Sequence, residues 1–240
     1  CERQNGALWT RFTVQYNLFA GSIVALGSDE QREELISEQL SGRLGCFSFT
    51  EKGTGVLSGA GVETTATFDA ATAEFVINSP NKSSCKNWIS QGMYAEEAVI
   101  LADLIIAGER KGPHLFWARV ADAAGGKQQK DSMARPIPRA GVTVDSNPEK
   151  TCMHGLDNAT MSYKNFRVPL SGMLSRFCEV TQNNSDGDED EDGKATGSEG
   201  KGRGSSRTRK SNSKGRSNVA KTEFGRTACG ASISIAFWFK

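Results

Sequence analysis

The amino-acid sequence predicts an α+β chain: a mainly antiparallel β-barrel or sandwich preceded by short helices and followed by a disordered charged segment. Three observations carry that expectation. Ser28 stands three residues before Gln31 at the head of a helical periodicity, the pattern of a capping box. From Gly45 onward the texture changes to short alternating segments rich in β-branched and aromatic residues. Between Asn183 and Asn218 the chain is almost purely Ser, Gly and charged residues.

The helices come first. Apolar positions from Phe12 to Leu40 are at mixed spacing, and Leu35, Ile36 and Leu40 return at helical intervals after the Ser28 cap. Two helices are expected, the first ending at Gly27 and the second at Gly42. Strands are then expected at Gly45 to Thr50, Thr64 to Phe68, Glu74 to Asn78, Ala98 to Ile106, His114 to Val120, Val142 to Val144 and Ala159 to Val168. Asp69-Ala70-Ala71-Thr72 reads as a hairpin turn between the second and third of these. Strands at this density point to a sandwich or barrel.

The block after the strands is acidic from Asp186 to Asp192 and basic from Arg203 to Arg216, and it cannot bury enough apolar surface to offset chain entropy. Its basic half has no interleaved aromatics, so a solvated linker is expected rather than a nucleic-acid patch. An apolar pattern returns from Ala231 to Phe239. The expected divisions are residues 1–44, the end of a helical domain; 45–181, a β-domain; 182–218, a disordered linker; and 219–240, an apolar tail.

Composition narrows the function classes. A net charge of +1 gives no global field to attract nucleic acid or an anionic membrane. The 6 cysteines include no CxxC pair and there are 2 histidines, so neither a metal centre nor a disulfide framework is expected. No apolar run approaches the ~20 residues of a membrane-spanning helix. The chain begins at Cys1 rather than Met, and its natural start is expected to lie upstream.

Chemistry-bearing residues are few. Thr50-Glu51 followed by Gly53 and Gly55 is a strand ending in a turn, where backbone can approach a ligand closely or simply reverse direction. Trp88, two residues after Lys86, is either a core residue or a platform for a ring. Taken alone, these residues do not choose.

Their order and spacing do more. Thr50-Glu51-x-Gly53-x-Gly55, Lys86-x-Trp88-Ile89-Ser90 and Asn165-x-Arg167-Val168-Pro169 together resemble the middle β-domain of the acyl-CoA oxidase and acyl-CoA dehydrogenase superfamily. Glu63-Thr64-Thr65-Ala66-Thr67-Phe68, Glu74 to Pro80, Gly112-Pro113-His114-Leu115-Phe116 and Asp157-Asn158 look like the oxidase branch, whereas Trp88-Ile89-Ser90 looks more like the dehydrogenases. The resemblance covers more than half the chain. It implies FAD as cofactor, a fatty acyl-CoA as substrate, desaturation between C2 and C3, oxygen as acceptor in the oxidase branch, a homodimer in full-length members and a peroxisomal location. The terminal Trp238-Phe239-Lys240 is not a peroxisomal tripeptide.

By position, the resemblance implies that Phe49, Thr50, Trp88 and Ser90 face the flavin, and that Gly55 and Val56 lie at the acyl-CoA. Val56 and Leu57 stand where dehydrogenases carry a substrate-touching Ser, and residues Ser58-Gly59-Ala60-Gly61 lengthen this turn by one. The Pro-Gly-Gly turn common after the oxidase Trp is absent. The family's catalytic Glu lies in a helical domain after the β-domain, where this chain has the charged block, so no catalytic residue is assigned and the isolated chain is expected to be inactive. Glu51 is expected to be a structural hydrogen-bond partner. The alternatives are a dehydrogenase, or a non-catalytic β-domain that is an interaction module or the product of a degraded gene.

Overall fold

A computed structural model describes residues 5–55, 57–58, 61–124, 134–181 and 221–223. The first helical run is a single rod with a wide middle: α1 (Gly6–Phe12) passes through a π-helical stretch, Thr13–Ala20, into α2 (Gly21–Leu26) with helical backbone angles at both junctions. It ends at Gly27, as the sequence predicts. The second helix, α3 (Asp29–Leu40), starts on the expected capping box, in which Ser28 Oγ accepts from the Gln31 amide and Gln31 Oε1 accepts from the Ser28 amide. Such a cap is worth about 1 kcal/mol. Gln31 does more than cap, because its Nε2 donates to the carbonyls of Ser171 and Met173 at 2.6 and 2.9 Å and so fastens the helix start to the β-region.

The strands are β1 (Gly45–Ser48), β2 (Thr65–Asp69), β3 (Glu74–Asn78), β4 (Lys86–Ser90), β5 (Glu97–Ile106), β6 (Glu109–Arg119), β7 (Ala121–Asp122), β8 (Ile137–Pro138), β9 (Val142–Ser146), β10 (Asn158–Tyr163), β11 (Phe166–Pro169), β12 (Glu179–Thr181) and β13 (Lys221–Glu223). A six-stranded sheet runs β1-β5-β2-β3-β11 with β6 on the other edge of β5, and β4-β10-β9 form a second sheet. Pairing is mainly antiparallel, with two parallel joins: β1 lies along the first half of β5 and β2 along the second half of the same edge. The two sheets meet where Ser79 donates its amide to the Tyr163 carbonyl and receives the Tyr163 amide at its hydroxyl, and the whole curls into a half-barrel.

β5 explains why the core has two compartments. Ala98, Ile100, Ala102, Leu104 and Ile106 face the barrel interior beside Phe75, Phe116 and Met161, while Val99 and Leu101 face Phe19, Ile23 and Leu35 of the helices. Alternation puts successive side chains on opposite faces, and both faces of this strand are covered. Burying each large apolar side chain contributes roughly 1.5–3 kcal/mol. Helix and sheet touch most closely at Gly45, where an added Cβ would stand 2.3 Å from the Phe19 ring.

One expected strand is two. Residues 159–168 break at Lys164-Asn165 into β10, which pairs with β4 and β9, and β11, which pairs with β3. The physical reason lies in the burial pattern: Tyr163 and Phe166 are both buried with two exposed residues between them, so the two-residue period slips by one. Asn165 takes φ 52°, a left-handed turn that Asn tolerates. The charged block at 182–218 and the residues after 223 lie outside the described residues. Within the expected apolar tail, Lys221–Glu223 pair with Glu179–Thr181.

Candidate functional site

β1 continues past Ser48 and pairs with β4: the Asn87 amide donates to the Thr50 carbonyl at 2.8 Å, the Thr50 hydroxyl donates to the Asn87 carbonyl at 2.6 Å, and Glu51 bridges Lys86. Two polar clusters diverge from this junction.

The inner cluster is closed. Glu51 and Lys86 are 1% and 0% exposed and form an ion pair at 3.0 Å. Glu51 also accepts the amides of Glu63 and Thr64 at 2.8 and 2.9 Å, and Lys86 also donates to the Phe49 carbonyl at 3.2 Å. Burial pushes the Glu51 carboxyl up, but the Lys86 ammonium and the donors on Thr64 and Glu63 more than offset it and hold the group below the ordinary carboxylate value. Burial draws Lys86 down to about 8, against the pull of Glu51, which favours its charged form. With both oxygens occupied, Glu51 is a structural anchor, as the sequence predicts, and is not poised to remove a proton from a substrate carbon.

The outer cluster is open. Between Ile89 and Lys86, β4 has one more residue than β10 has between Ala159 and Met161, which is a β-bulge. Trp88 sits in it at φ 58°, with 57% of its surface exposed. A bulky residue held in the left-handed region with its ring in solvent is an outlier of the kind that gathers at binding sites. Asn158 pairs with Ser90 across the strands, and its Nδ2 donates to the Ser90 hydroxyl at 2.9 Å. Lys150 in turn donates to Asn158 Oδ1 at 2.7 Å and to the Leu156 carbonyl. The Thr160 hydroxyl lies between Asn87 Oδ1 and Asn147 Oδ1 at 3.0 and 2.8 Å.

Thr50, Trp88 and Ser90 therefore lie along one strand junction. Phe49 does not join them: it stacks on Phe47 with ring centroids 5.1 Å apart and packs against the helix-side core. Gly55 lies at the turn with φ 55° and open space where a Cβ would be, and Val56 lies outside the described residues. The turn is pinned by Ser58, whose hydroxyl accepts the Glu51 amide at 2.6 Å and donates to the Gly55 carbonyl at 2.7 Å. Lys150, Asn158, Asn87 and Thr160 carry the rest of the site, and the sequence assigns none of them a role. Only Asn158 leaves a signal there, as half of the Asp157-Asn158 pair. Asp157 itself is structural, holding Arg11 of α1 at 2.6 Å and the Met93 amide at 2.8 Å.

An open groove of about 900 Å³ lies elsewhere, bordered by Glu38, Arg43, Glu97, Trp117, Arg119 and Arg139. Its charges are largely internally matched, with Arg139 bonded to Asp122 and Arg43 to Glu38. None of the sequence-predicted site residues that lie among the described residues borders it. Among the described residues no cluster of three or more His, Cys, Asp or Glu could hold a metal, and no helix is long and apolar enough to cross a membrane.

The described residues thus form a helix-flanked half-barrel in which an exposed Trp bulge lies next to a hydrogen-bonded set of hydroxyl and amide groups. No family model matches the chain. Comparison with known proteins nevertheless identifies the region: it is acyl-CoA oxidase-like. The chain is 31% identical over 181 residues to acyl-coenzyme A oxidase 2 of Yarrowia lipolytica, covering 74% of the chain and 24% of that protein. It is 35% identical over 166 residues to peroxisomal acyl-coenzyme A oxidase 2 of Oryctolagus cuniculus, covering 68% and 23%. Among solved structures, acyl-CoA oxidase 1 of Yarrowia lipolytica superposes with a TM-score of 0.66 at 29% identity, over 74% of this chain and 25% of that one. The Caenorhabditis elegans acyl-CoA oxidase-2 bound with FAD, ascaroside-CoA and ATP gives 0.63 at 32%, over 71% and 24%. The chain thus spans about a quarter of the length of the relatives it matches.

Proposed function

We propose that this chain supplies the flavin-facing β wall of a fatty acyl-CoA oxidase-type site, acting in the peroxisome in a homodimeric assembly. The observation that carries the reading is the Trp88 bulge. A large ring is held in solvent at a cost in backbone strain, beside the Thr50 junction and the Ser90 hydroxyl, within an acyl-CoA oxidase-like unit. An exposed aromatic face next to fixed polar groups fits a planar heteroaromatic ligand, which stacks on the one and hydrogen-bonds to the other.

When bound, FAD supplies the two-electron acceptor for desaturating an acyl-CoA and passes the electrons to oxygen. The chain's own contribution is to bind and orient. Trp88 covers one region of the ring system, Ser90 and the Thr50 backbone fix its edge, and Gly55 leaves room for the substrate. Glu51 is already saturated, so the base that takes the α-proton is contributed by another part of the assembled site.

A one-sided site recovers only part of the cost of association. Titration of the 240-residue chain with FAD, followed by flavin fluorescence, is expected to show weak, saturable binding that Trp88→Ala and Ser90→Ala both reduce. Oxygen consumption with palmitoyl-CoA is expected to be absent. No saturable binding by the wild-type chain overturns the reading, and peroxide production by the chain alone overturns the assignment of the base to another element.

A further inference from the structure

The geometry points to Lys150 as a positioning residue that acts through Asn158 to turn the Ser90 hydroxyl proton outward, toward a hydrogen-bond acceptor on the ligand. The inference rests on the flavin reading of this face only for the identity of that ligand.

The direction of each proton follows from what the groups can do. A lysine Nζ has donors and no acceptor, so the Asn158 atom that it meets at 2.7 Å must be the amide oxygen. That fixes the other end of the amide as NH₂, and it is this end that meets Ser90 Oγ at 2.9 Å. Ser90 Oγ is therefore an acceptor from Asn158. Its own hydrogen is left to be donated elsewhere, and the residue is half-buried two positions along β4 from the exposed Trp88. The Lys150 ammonium is itself held by the Leu156 carbonyl, so the head of the chain is anchored to the loop before β10. Hydrogen bonds in series polarise one another, and a cation at the head makes the last hydroxyl a better donor. The resulting site selects an electron-rich acceptor, a ring nitrogen or carbonyl oxygen, and disfavours a donor at that position.

Without Lys150 the Asn158 amide is free to flip, and Ser90 then faces an oxygen to which it donates inward. The most selective test is Asn158→Asp, an isosteric change. The introduced carboxylate would accept from both Lys150 and Ser90, which strengthens the loop contact while turning the Ser90 proton inward.

The experiment uses the 240-residue chain and has two arms. In the first, without ligand, the Asn158 side-chain amide resonances are followed by NMR; they are expected to shift in both Lys150→Met and Ser90→Ala. In the second, FAD affinity and the visible absorption band of bound flavin are measured for Lys150→Met, Lys150→Arg, Asn158→Asp and Ser90→Ala. Affinity is expected to fall roughly threefold to tenfold in Lys150→Met and Asn158→Asp, the scale of one lost hydrogen bond. The absorption band should shift in the same two variants, Lys150→Arg should restore both, and Asn158→Asp should unfold at no lower urea concentration than wild type. Wild-type affinity and absorption in Asn158→Asp would overturn the proposal, as would unmoved Asn158 resonances. If the wild-type chain binds no FAD, the flavin reading falls, while the resonance arm still decides whether Lys150 and Ser90 both bond the Asn158 amide, the link on which the proton direction depends.

Discussion

Glu51 and Ser90 lie at the two ends of the same β4 junction, and they differ in what surrounds them. Glu51 is buried with a cation and two backbone amides on its two oxygens. Ser90 is half-buried, and its hydroxyl accepts from Asn158 in a way that leaves the proton to be donated outward. A polar residue whose capacity is filled from within the fold serves stability; one whose capacity is partly filled, in a fixed direction, is prepared for a partner from outside. The same distinction separates Asp157 from Asn158, adjacent in sequence, the first bound to Arg11 and Met93 and the second facing Ser90.

The comparison breaks most severely at Glu51. Glu51→Gln removes the counter-ion of buried Lys86, which burial already draws down, so the lysine must either stay charged unpaired or give up its proton, and urea unfolding is expected to show a loss of about 3–5 kcal/mol. The pH dependence has a definite sign. Because the folded carboxyl is held below its ordinary value, its stabilisation is fully present above about pH 4.5 and disappears as pH falls through the lowered folded value. The wild type should therefore lose its advantage over Glu51→Gln on acidification below about pH 4.5, and a constant difference between the two down to about pH 2 would contradict the assignment.

A smaller effect is expected where helix meets sheet. Gly45→Ala drives a methyl into the buried Phe19 ring, and overpacking of this kind costs about 1–3 kcal/mol. Thermal unfolding unchanged from wild type would show that Phe19 moves aside freely. The smallest effect has the opposite sign: Trp88→Gly relieves a left-handed backbone while removing an exposed ring, so stability should stay level or rise by up to about 1 kcal/mol as FAD affinity falls. A loss above about 1 kcal/mol in the same unfolding assay would mean that Trp88 serves the core after all.

Much of this architecture is legible in the sequence because it is locally encoded. The Ser28-Gln31 box, the Gly27 stop and the Asp69 to Thr72 turn appear where their residues put them. The structural role of Glu51 is also as expected. What the sequence conceals depends on partners far along the chain. The Trp88 bulge exists only relative to β10, some 70 residues away, and nothing within Lys86–Ser90 marks one residue as extra. Phe49 follows alternation from Phe47 onto the helix face, whereas its place at the strand end groups it with Thr50. Lys150 enters the site through a loop whose course no periodicity reports. The parallel joins of β1 and β2 to β5 are likewise choices of partner that alternation alone cannot make.

β5 has a consequence for the time course of folding. It joins β6 through Ala107 and Gly108, both at positive φ, the two-residue turn that suits the twist of a hairpin. A hairpin of this kind closes in about 1–10 μs, whereas the parallel joins of β1 and β2 to its other edge span tens of residues and are slower. In the interval, the segment from Ala98 to Ile106 presents an unpaired edge on which Asp103, ion-paired to Arg110 at 2.9 Å, is the single charge. Asp103 is therefore expected to limit self-association of the growing sheet. Refolding by dilution should lose yield as protein concentration rises, and more steeply for Asp103→Val than for wild type, with light scattering as the readout; parallel yield curves for the two would assign the protection to another residue.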